Sequence, residues 1–415
     1  MTTIRVGIFI LVAFSVLSHG AVEPWSIGIL EIGASLLWLI WGICTIRQGA
    51  IEIRWNWLYW PLLVLGGLGT LQLLCGLSAY PYATKSELLR AAAYFLLFFL
   101  TVESFHTEGE WKQFVWFLAS LSFLVSLLAI IQHFTFNGKL YWFRVLPQGV
   151  TPFGPFVNPN HFAGFIELTA PFGLAMLLCG AVRRDKLPLV ILLTVLPIGT
   201  LILSASRAGI TSFLFEFLLL ILLTWSKERQ AGQLVMAGVL ALIIAFLAVW
   251  LGLGWTVERF EHLGHGDISG NRRVSLFTDT WQIFRHHPWT GTGLGTLQAV
   301  YPSYESYYDG LVVDHAHDDY LELLSDAGLI GGACMVGFVA LLVAGGLRNL
   351  RAAKNRVSRA IYCASFVACA GLLLHSLVDF NLHIPSNALL FLLLAAMATC
   401  SAAESGPSYP QADLF

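Results

Sequence analysis

Twelve apolar segments divide the chain, and they constrain its fold more than any other feature. A helix needs about 20 apolar residues to cross a bilayer, and each segment is close to that length. Only 12% of the 415 residues are charged, whereas soluble domains carry roughly 25%. The pattern therefore predicts an all-α polytopic membrane protein with about 12 transmembrane helices. The predicted spans are about 5–22, 26–46, 57–77, 87–104, 113–134, 160–182, 187–205, 208–225, 231–251, 327–347, 358–378 and 385–403.

The N-terminus carries Arg5 and an apolar run that ends at Leu17, a pattern typical of signal peptides. The next apolar segment begins within about ten residues, and no small-residue cleavage site stands out between the two. We therefore expect the first segment to remain in the protein as a membrane span.

Charge and cysteine usage narrow the function classes. The formal net charge of −2 gives no reason to expect a nucleic-acid partner. The seven cysteines all lie in apolar segments and form no CxxC or Cys/His metal spacing. We interpret them as small core residues, so they indicate neither a disulfide framework nor a zinc site.

The distribution of Lys and Arg predicts the orientation. Most of them fall on the side of the membrane that holds the N-terminus, and the positive-inside rule assigns that side to the cytoplasm. Residues 1–251 then form nine transmembrane helices, and residues 327–403 form three more. Residues 252–326 form one long extracytoplasmic loop, and residues 404–415 form a cytoplasmic tail.

The loop at 252–326 is the only long polar segment, and we expect it to carry the chemistry. Its residues Val274, Phe277, Trp281 and Phe284 recur near helical spacing, which predicts an amphipathic helix along the membrane face. A proline and three glycines then interrupt this pattern in HPWTGTGLG. At the end of the loop, Asp318 or Asp319 is placed to cap the next helix.

Three arginines are candidates for binding an anion. Arg207 stands in LILSASRAG between two apolar segments, where it either snorkels to the interface or clamps an anion at the outer membrane face. Arg272 and Arg273 begin the predicted amphipathic helix. A helix N-terminus with guanidinium groups suits a diphosphate, and surface arginines that bind lipid headgroups are the alternative.

The run from Asp314 to Asp319 places His315 and His317 one residue apart among acids. A histidine with an acidic partner suits proton abstraction near neutral pH. The preferred interpretation is therefore a general base that a carboxylate orients. A zinc site and a solvated helix start are the alternatives. The HxH spacing alone is a weak metal signal because it lacks a clear third ligand.

Two further polar stretches lie at the predicted outer face. In GPFVNPNHF, Asn158, Asn160 and His161 form a polar turn that either binds sugar hydroxyls or simply caps the next helix. In LHSLVDFNLHIPSN, two histidines, an acid and an amide gather between the last two spans, and we expect a packing or supporting role. Glu167, inside the sixth span, needs a partner because isolated charges in the membrane are costly.

Four of these pieces together resemble the O-antigen ligase and Wzy-type polymerase superfamily of bacterial envelope glycosyltransferases. The pieces are GPFVNPNHFAGF, SASRAG, NRRVSLFTDTWQIFRHHPWTGTGLGTL and DHAHDDYLELLSDAGLIGG, and they cover roughly residues 150–335. One departure stands out: the family usually has HxHN in the last motif, and this chain has Asp318 at the position of that Asn. If the Asn touches the acceptor sugar, the substitution affects acceptor identity.

The resemblance implies a GT-C-like fold and a metal-independent, inverting transfer of a glycan from undecaprenyl diphosphate to an acceptor hydroxyl, with no cofactor. Arg207 and Arg273 would stabilise the diphosphate leaving group, and His317 would be the general base. Substrate contacts would come from His315, Arg272, Asn158, Asn160, His161 and Asp318, with His315 orienting the base or touching phosphate. The acceptor would be a lipid A core, a growing polysaccharide or another glycan, as in lipopolysaccharide biosynthesis. The protein would lie in the bacterial inner membrane with its site facing the periplasm.

Two other classes remain open from the sequence. A transporter or flippase for lipid-linked saccharide would place ionisable residues near the bilayer midplane, where Glu167 and Glu216 are the candidates. A non-catalytic envelope scaffold would not need the clustered arginines and histidines. The positions of these side chains at the outer face favour the glycosyltransferase.

Overall fold

The computed structural model describes residues 1–49, 53–146, 152–225, 230–250, 268–308, 310 and 312–401, and within these residues the chain is almost entirely helical. The N-terminal helices are α1 (Thr2–Leu17), α2 (Pro24–Gln48), α3 (Tyr59–Leu74), α4 (Pro81–Ser104) and α5 (Glu108–Phe134). The next are α6 (Pro159–Leu178), α7 (Leu187–Leu203), α8 (Arg207–Thr224) and α9 (Gln230–Trp250). The last are α10 (Ile268–His286), α11 (Leu297–Val300), α12 (Asp319–Ala352), α13 (Arg356–His375) and α14 (Pro385–Thr399). Strands β1 (Lys139–Leu140) and β2 (Arg144–Val145) form one short antiparallel pair.

A helix lies at each of the twelve apolar segments predicted from the sequence. Among the described residues, six helices are long and apolar enough to cross a membrane: α2, α5, α6, α8, α12 and α13. The shorter apolar helices include α1, α3, α7 and α14. The all-helical architecture of a polytopic membrane protein is therefore confirmed, and the count of twelve crossings stays a prediction.

Helices α6, α13 and α14 form the centre of the molecule. The membrane-crossing window of α6 is 94% buried, compared with 22% for the peripheral α2. Small residues permit this packing: a Cβ on Gly371 of α13 would overlap the side chain of Glu216 on α8, and one on Gly164 of α6 would overlap Asn381. Helix α1 also contributes Ile8 and Val12 to this core. The loops at the ends of the central helices are thus attached to a rigid scaffold.

Helix α12 is broken at Gly328, whose φ is +61°. The glycine-rich turn after α10 fits into this break: the amides of Thr292 and Gly293 donate to the carbonyls of Ser325 and Asp326. A Cβ on Gly328 would overlap the backbone of the turn, so a side chain there is excluded. The glycine run therefore has a structural role in docking the loop onto α12.

Helix α10 lies within the loop, where the sequence predicts an amphipathic helix. One face buries Leu276 and Ile283, and the opposite face exposes Val274, Phe277 and Trp281. An exposed apolar stripe beside transmembrane helices suits contact with the membrane surface. The first part of the predicted loop, with His262 and His265, and the predicted tail at 404–415 lie outside the described residues.

Candidate active site

Phe380, in the connection between α13 and α14, is the centre of a cluster of imidazoles. The rings of His161, His315 and His317 lie 4.7, 4.4 and 4.8 Å from its ring centre. His161 comes from the first turn of α6, and the other two precede α12. The fold thus brings together three stretches that are separated by more than 60 residues in the chain.

His317 lies against a buried carboxylate. Its Nδ1 is 3.4 Å from Oδ1 of Asp379, which is fully buried, whereas the His317 side chain is 35% exposed. Burial alone would raise the pKa of Asp379, but the contact with His317 and the nearby imidazoles of His161 and His375 outweigh it and hold the pKa well below its usual range. Asp379 therefore stays ionised and can stabilise a proton on His317.

The backbone at His317 is strained. Its φ is +53°, in the left-handed region that residues with a side chain rarely adopt. Such strain persists where surrounding contacts enforce it, and it concentrates at functional sites. Ala205, two residues before Arg207, has the same feature with a φ of +54°.

A hydrogen-bonded chain links Asp379 to the start of α8. Asn160 donates from Nδ2 to Oδ2 of Asp379 at 2.5 Å, and Oδ1 of Asn160 accepts from the hydroxyl of Ser206 at 2.8 Å. Ser206 also caps α8 by accepting from the amide of Gly209. Arg207 is the first residue of that helix, so the chain connects the SASRAG motif to the His317–Asp379 pair.

A second group of ionisable residues includes His315, whose ring stacks on Phe380. His315 Nδ1 is 2.8 Å from Oε1 of Glu322, and His383 Nε2 is 3.2 Å from the same oxygen. His383 Nδ1 is also 2.6 Å from Oδ1 of Asp319. Burial would lower the pKa of His383, but the carboxylates of Glu322 and Asp319 prevail and raise it to about 10. His383 is therefore a protonated imidazolium held between two carboxylates.

Three of these side chains could hold a metal ion. Ligand atoms of His315, Glu322 and His383 lie within 4.8 Å of one another, and two imidazoles with one carboxylate are a known zinc ligand set. The carboxylate of Asp319 on His383 is the kind of outer contact that orients a metal ligand. However, the same atoms also form hydrogen-bonded ion pairs among themselves. His317, the second histidine of the HxH pair, faces Asp379 instead.

A polar cavity of about 810 Å³ opens beside this cluster. Its wall carries amides, carboxylates, imidazoles and guanidinium groups together with the ring of Phe380, a composition suited to sugar hydroxyls. Its polar lining residues are His19, Glu23, Glu87, Arg90, Arg144, Asn158, Asn160, His161, Gln298, Asp314, His315, Glu322 and His383.

Four residues singled out from the sequence line this cavity: Asn158, Asn160, His161 and His315. Asn158 uses its side-chain oxygen to cap α6, and Asp318 caps α12 by accepting from the amides of Tyr320 and Leu321. The capping roles considered from the sequence are thus confirmed, and they occupy part of the hydrogen-bonding capacity of both side chains.

Unlike these four residues, the tandem arginines Arg272 and Arg273 do not line the cavity. Both lie on α10, where Arg272 is close enough to Tyr301 to affect the electrostatics of its hydroxyl, and the side chain of Arg273 is exposed. Tyr301 itself is buried and donates to Asp279, whereas Tyr307 and Tyr308, further along the same loop, are exposed. Within the described ranges, no polar contact joins Arg273 to the imidazole cluster.

Several site residues were not singled out as catalytic or binding candidates from the sequence. Asp379 was expected only to have a packing or supporting role, and no role was expected for Phe380, for Glu322 or for the α4 pair Glu87 and Arg90. For Asp379 and Phe380, the sequence does carry a signal, because the LVDFNLH stretch is rich in polar residues and lies between two apolar spans. For α4, the signal was an Arg and a Glu three residues apart at the outer end of a span.

The fold and this site define an all-helical, multi-pass membrane protein with a polar cavity at the ends of its central helices. Residues 192–336 match the O-antigen ligase family model, and no curated protein matches the chain. The match confirms the resemblance to the O-antigen ligase and Wzy superfamily for this region, and it supports a glycosyltransferase-type enzyme in broad terms. The match includes SASRAG and HAHDD, and the residues Asn160 and Asp379 that bond to one another lie on either side of it.

Proposed function

We propose that the protein transfers a glycan from undecaprenyl diphosphate to a hydroxyl of an acceptor glycan, with inversion and without a metal. The supporting observation is the contact of His317 with the buried carboxylate of Asp379, and the chain of bonds from Asp379 through Asn160 to Ser206, the residue before Arg207. This arrangement supports a proton acceptor at His317, in contact with Asp379, and a cation at Arg207, next to the hydrogen-bonded Ser206. Both are required for the transfer.

In the proposed reaction, the acceptor oxygen attacks the anomeric carbon of the donor sugar. A new C–O bond forms on one face while the bond from that carbon to the diphosphate oxygen breaks on the other, and its electron pair leaves with the diphosphate. The proton of the acceptor hydroxyl passes to His317, and the ionised Asp379 stabilises the imidazolium that results. Atoms and charge then balance without a further reactant.

The leaving diphosphate gains negative charge, which a preorganised cation stabilises. Arg207 is the first residue of α8, where the positive end of the helix dipole lies, and its guanidinium is proposed to bind the diphosphate there. Arg273 is proposed as the second cation. Since its side chain is exposed on α10, this role requires the side chain to reach the donor when the donor is bound.

Substrate contacts are proposed for the residues at the cavity wall. Asn160 and His161 lie at the start of α6, next to His315 across the ring of Phe380. Amide and imidazole groups match the alternating donors and acceptors of sugar hydroxyls. Asn158, Arg272 and Asp318 are proposed as further contacts. The site is proposed to face the periplasm from the bacterial inner membrane.

The experiment is glycan transfer by the purified protein in liposomes, with an undecaprenyl-diphosphate oligosaccharide as donor and no added metal. Transfer should continue in EDTA and should fall by about 100- to 10,000-fold in His317→Ala, the usual size of a general-base effect. His287→Ala changes an exposed histidine and is the matched control. Unchanged transfer by His317→Ala would refute the assignment of the base.

A metal-assisted form of the same reaction is favoured by one observation, the convergence of His315, Glu322 and His383. If EDTA abolishes transfer and zinc or another divalent ion restores it, this form replaces the metal-independent one. Bound metal measured by elemental analysis should then be lost in Glu322→Gln.

A transporter for lipid-linked saccharide is favoured by a different observation. Glu167 on α6 and His375 on α13 form a buried pair at 2.8 Å, and Glu216 on α8 is buried beside α13. Buried ionisable residues inside transmembrane helices commonly mark transport pathways. Movement of a fluorescent lipid-linked saccharide across the liposome membrane, without covalent transfer, would support this alternative.

A further inference from the structure

A short hairpin follows α5 on the predicted outer side, and the proposed function gives it no role. Its strands β1 and β2 are joined by the turn at 141–143. Two bulky residues of this turn, Tyr141 and Trp142, have φ values of +52° and +64°. Turn positions with positive φ favour Asn and Gly, because a larger side chain is strained there. Since such strain concentrates at functional sites, the aromatic side chains of this turn are candidates for a function.

Contacts with two helices enforce this conformation. Tyr141 donates from its hydroxyl to the carbonyl of Leu17 on α1 at 2.6 Å, and from its amide to the side chain of Gln132 on α5 at 3.4 Å. The indole of Trp142 donates to the hydroxyl of Thr135, directly after α5, at 2.9 Å. The turn is therefore held against the ends of α1 and α5, both of which lie at predicted membrane spans.

Helix α5 carries a stripe of exposed apolar residues that leads to the hairpin. Leu124, Leu127, Ile131 and Phe134 are all exposed, and their spacing of three and four residues places them on one face. The helix is long and apolar enough to cross a membrane. On such a helix, an exposed apolar face suits contact with the hydrocarbon chains of the lipids. The stripe runs to the last residue of α5, so the hairpin begins at the edge of the hydrocarbon zone.

The hairpin continues this apolar surface beyond the helix. Phe136, Trp142, Phe143 and Val145 are exposed, and the ring-bearing Phe143 is 74% exposed. Leaving large apolar side chains in water is unfavourable, whereas aromatic rings are enriched at membrane–water interfaces. The exposed turn therefore suits the interfacial zone, where its position next to the end of α5 places it.

The charges of the hairpin also suit a phospholipid surface. No Asp or Glu occurs between Lys112 and Glu167 in the sequence, so the hairpin has no carboxylate of its own. Lys139 is exposed on β1, whereas Arg144 on β2 pairs with Glu23, directly before α2. A cation beside exposed aromatic rings is typical of interfacial segments, because it is attracted to lipid phosphates.

We propose that the segment 135–146 anchors the protein to the outer surface of the bilayer. The side chains of Phe136, Trp142 and Phe143 insert among the phospholipid headgroups and the upper parts of their hydrocarbon chains. Arg144 and Leu146, in the same segment, line the polar cavity. The anchor thus holds one wall of this cavity at the membrane surface. It is independent of the transfer reaction.

The experiment is photolabelling of the full-length protein in nanodiscs of phosphatidylcholine and phosphatidylglycerol. One probe is a phosphatidylcholine with a diazirine near the glycerol end of its chain, and the other is free photoleucine in the water. The lipid probe should label Trp142 and Phe143 as strongly as Leu222, which is exposed near the end of the membrane-crossing α8. Photoleucine should label the exposed Asp185 and leave the hairpin turn unlabelled.

Two substitutions of one residue provide a matched pair of variants. Phe143→Asp should reduce lipid labelling of Trp142 by about tenfold or more, since burial of a phenyl ring changes an equilibrium by that factor. Phe143→Trp retains an aromatic ring and should keep the labelling of the wild type. Because Phe143 is exposed in the protein itself, both variants should fold, and equal melting temperatures in detergent verify this. If Phe143→Asp does not fold, the labelling of the wild type by the two probes decides.

Three results would overturn the proposal. Labelling of the turn by photoleucine in place of the lipid probe would place it in water. Labelling by neither probe would mean that a protein, either a second copy of this chain or a partner, covers it. Equal lipid labelling of Trp142 in Phe143→Asp and Phe143→Trp would mean that no ring at position 143 is inserted. Because the measurement requires no transfer, a protein that takes the lipid label but lacks transferase activity would refute the proposed function and leave the anchor standing.

Discussion

Replacing Asp379 with Asn removes one negative charge from beside His317 and keeps the size of the side chain. The carboxylate oxygen Oδ1 lies 3.4 Å from His317 Nδ1. If His317 is the general base, transfer requires its neutral form, and the charge of Asp379 favours the protonated form. Asp379→Asn should therefore move the acid limb of the pH–rate profile to lower pH.

The size of this shift follows from the distance. A unit charge at 3.4 Å from an imidazolium contributes about 5 kcal/mol at an effective dielectric constant of about 20 and about 1 kcal/mol at about 80. The His317 side chain is 35% exposed, so screening by water favours the lower value. We expect a shift of roughly one pH unit, since one unit corresponds to about 1.4 kcal/mol.

The same substitution should lower the maximal rate. Asp379 accepts from Asn160 on one oxygen and faces His317 with the other, and an amide cannot accept at both. A buried polar group left without a partner costs about 1–3 kcal/mol. If this cost raises the free energy of the transition state, the rate of transfer falls roughly 10- to 100-fold.

The assay is the initial rate of transfer in liposomes between pH 5 and pH 9, for the wild type and for Asp379→Asn. Asp185→Asn, at an exposed carboxylate, is the control and should leave the profile unchanged. An acid limb that stays in place or moves to higher pH in Asp379→Asn would refute the electrostatic role of this residue.

Two further predictions concern stability. Gly371→Ala should cost about 1–3 kcal/mol, because its Cβ would overlap Glu216, whereas Gly42→Ala on α2 meets open space and should be neutral or slightly stabilising; thermal unfolding in detergent measures both, and equal melting temperatures would contradict the packing account. The pKa of His383 is raised from 6.5 to about 10, so its ion pairs with Glu322 and Asp319 stabilise the fold fully below pH 6.5 and lose that effect as pH rises towards 10. His383→Asn should be less stable than the wild type at pH 6 and should approach it at pH 10, and a constant difference would contradict this linkage.

The helical architecture could be predicted from the sequence because long apolar segments leave the backbone few alternatives in a bilayer. Each predicted segment contains a helix. The caps at Asn158 and Asp318 were also foreseeable, since side-chain oxygens at these positions satisfy free amides of the first turn.

The grouping of the histidines could not be predicted from spacing. His315 and His317 are one residue apart, which suggests a common partner. The positive φ at His317 turns the backbone, so that His315 faces Glu322 while His317 faces Asp379. That backbone conformation depends on the contacts of the surrounding fold and has no signature in the HxH pattern.

The role of Asp379 likewise depends on long-range contacts. The connection between α13 and α14 is held against the start of α12 by the amide of Asp319, which donates to the carbonyl of Ser376, and by the amide of Leu382, which donates to Asp319. Only this docking brings Asp379 to His317. The sequence indicated a polar stretch at this position, but not its partner.

In the proposed reaction, Arg207 holds the donor diphosphate while His317 acts on the acceptor. The affinity of the purified protein for undecaprenyl diphosphate tests this most directly. Arg207→Ala should weaken binding by about 10- to 100-fold, the usual effect of losing a charge-assisted contact, and His317→Ala should bind as tightly as the wild type. Equal affinity of Arg207→Ala and the wild type would contradict the account.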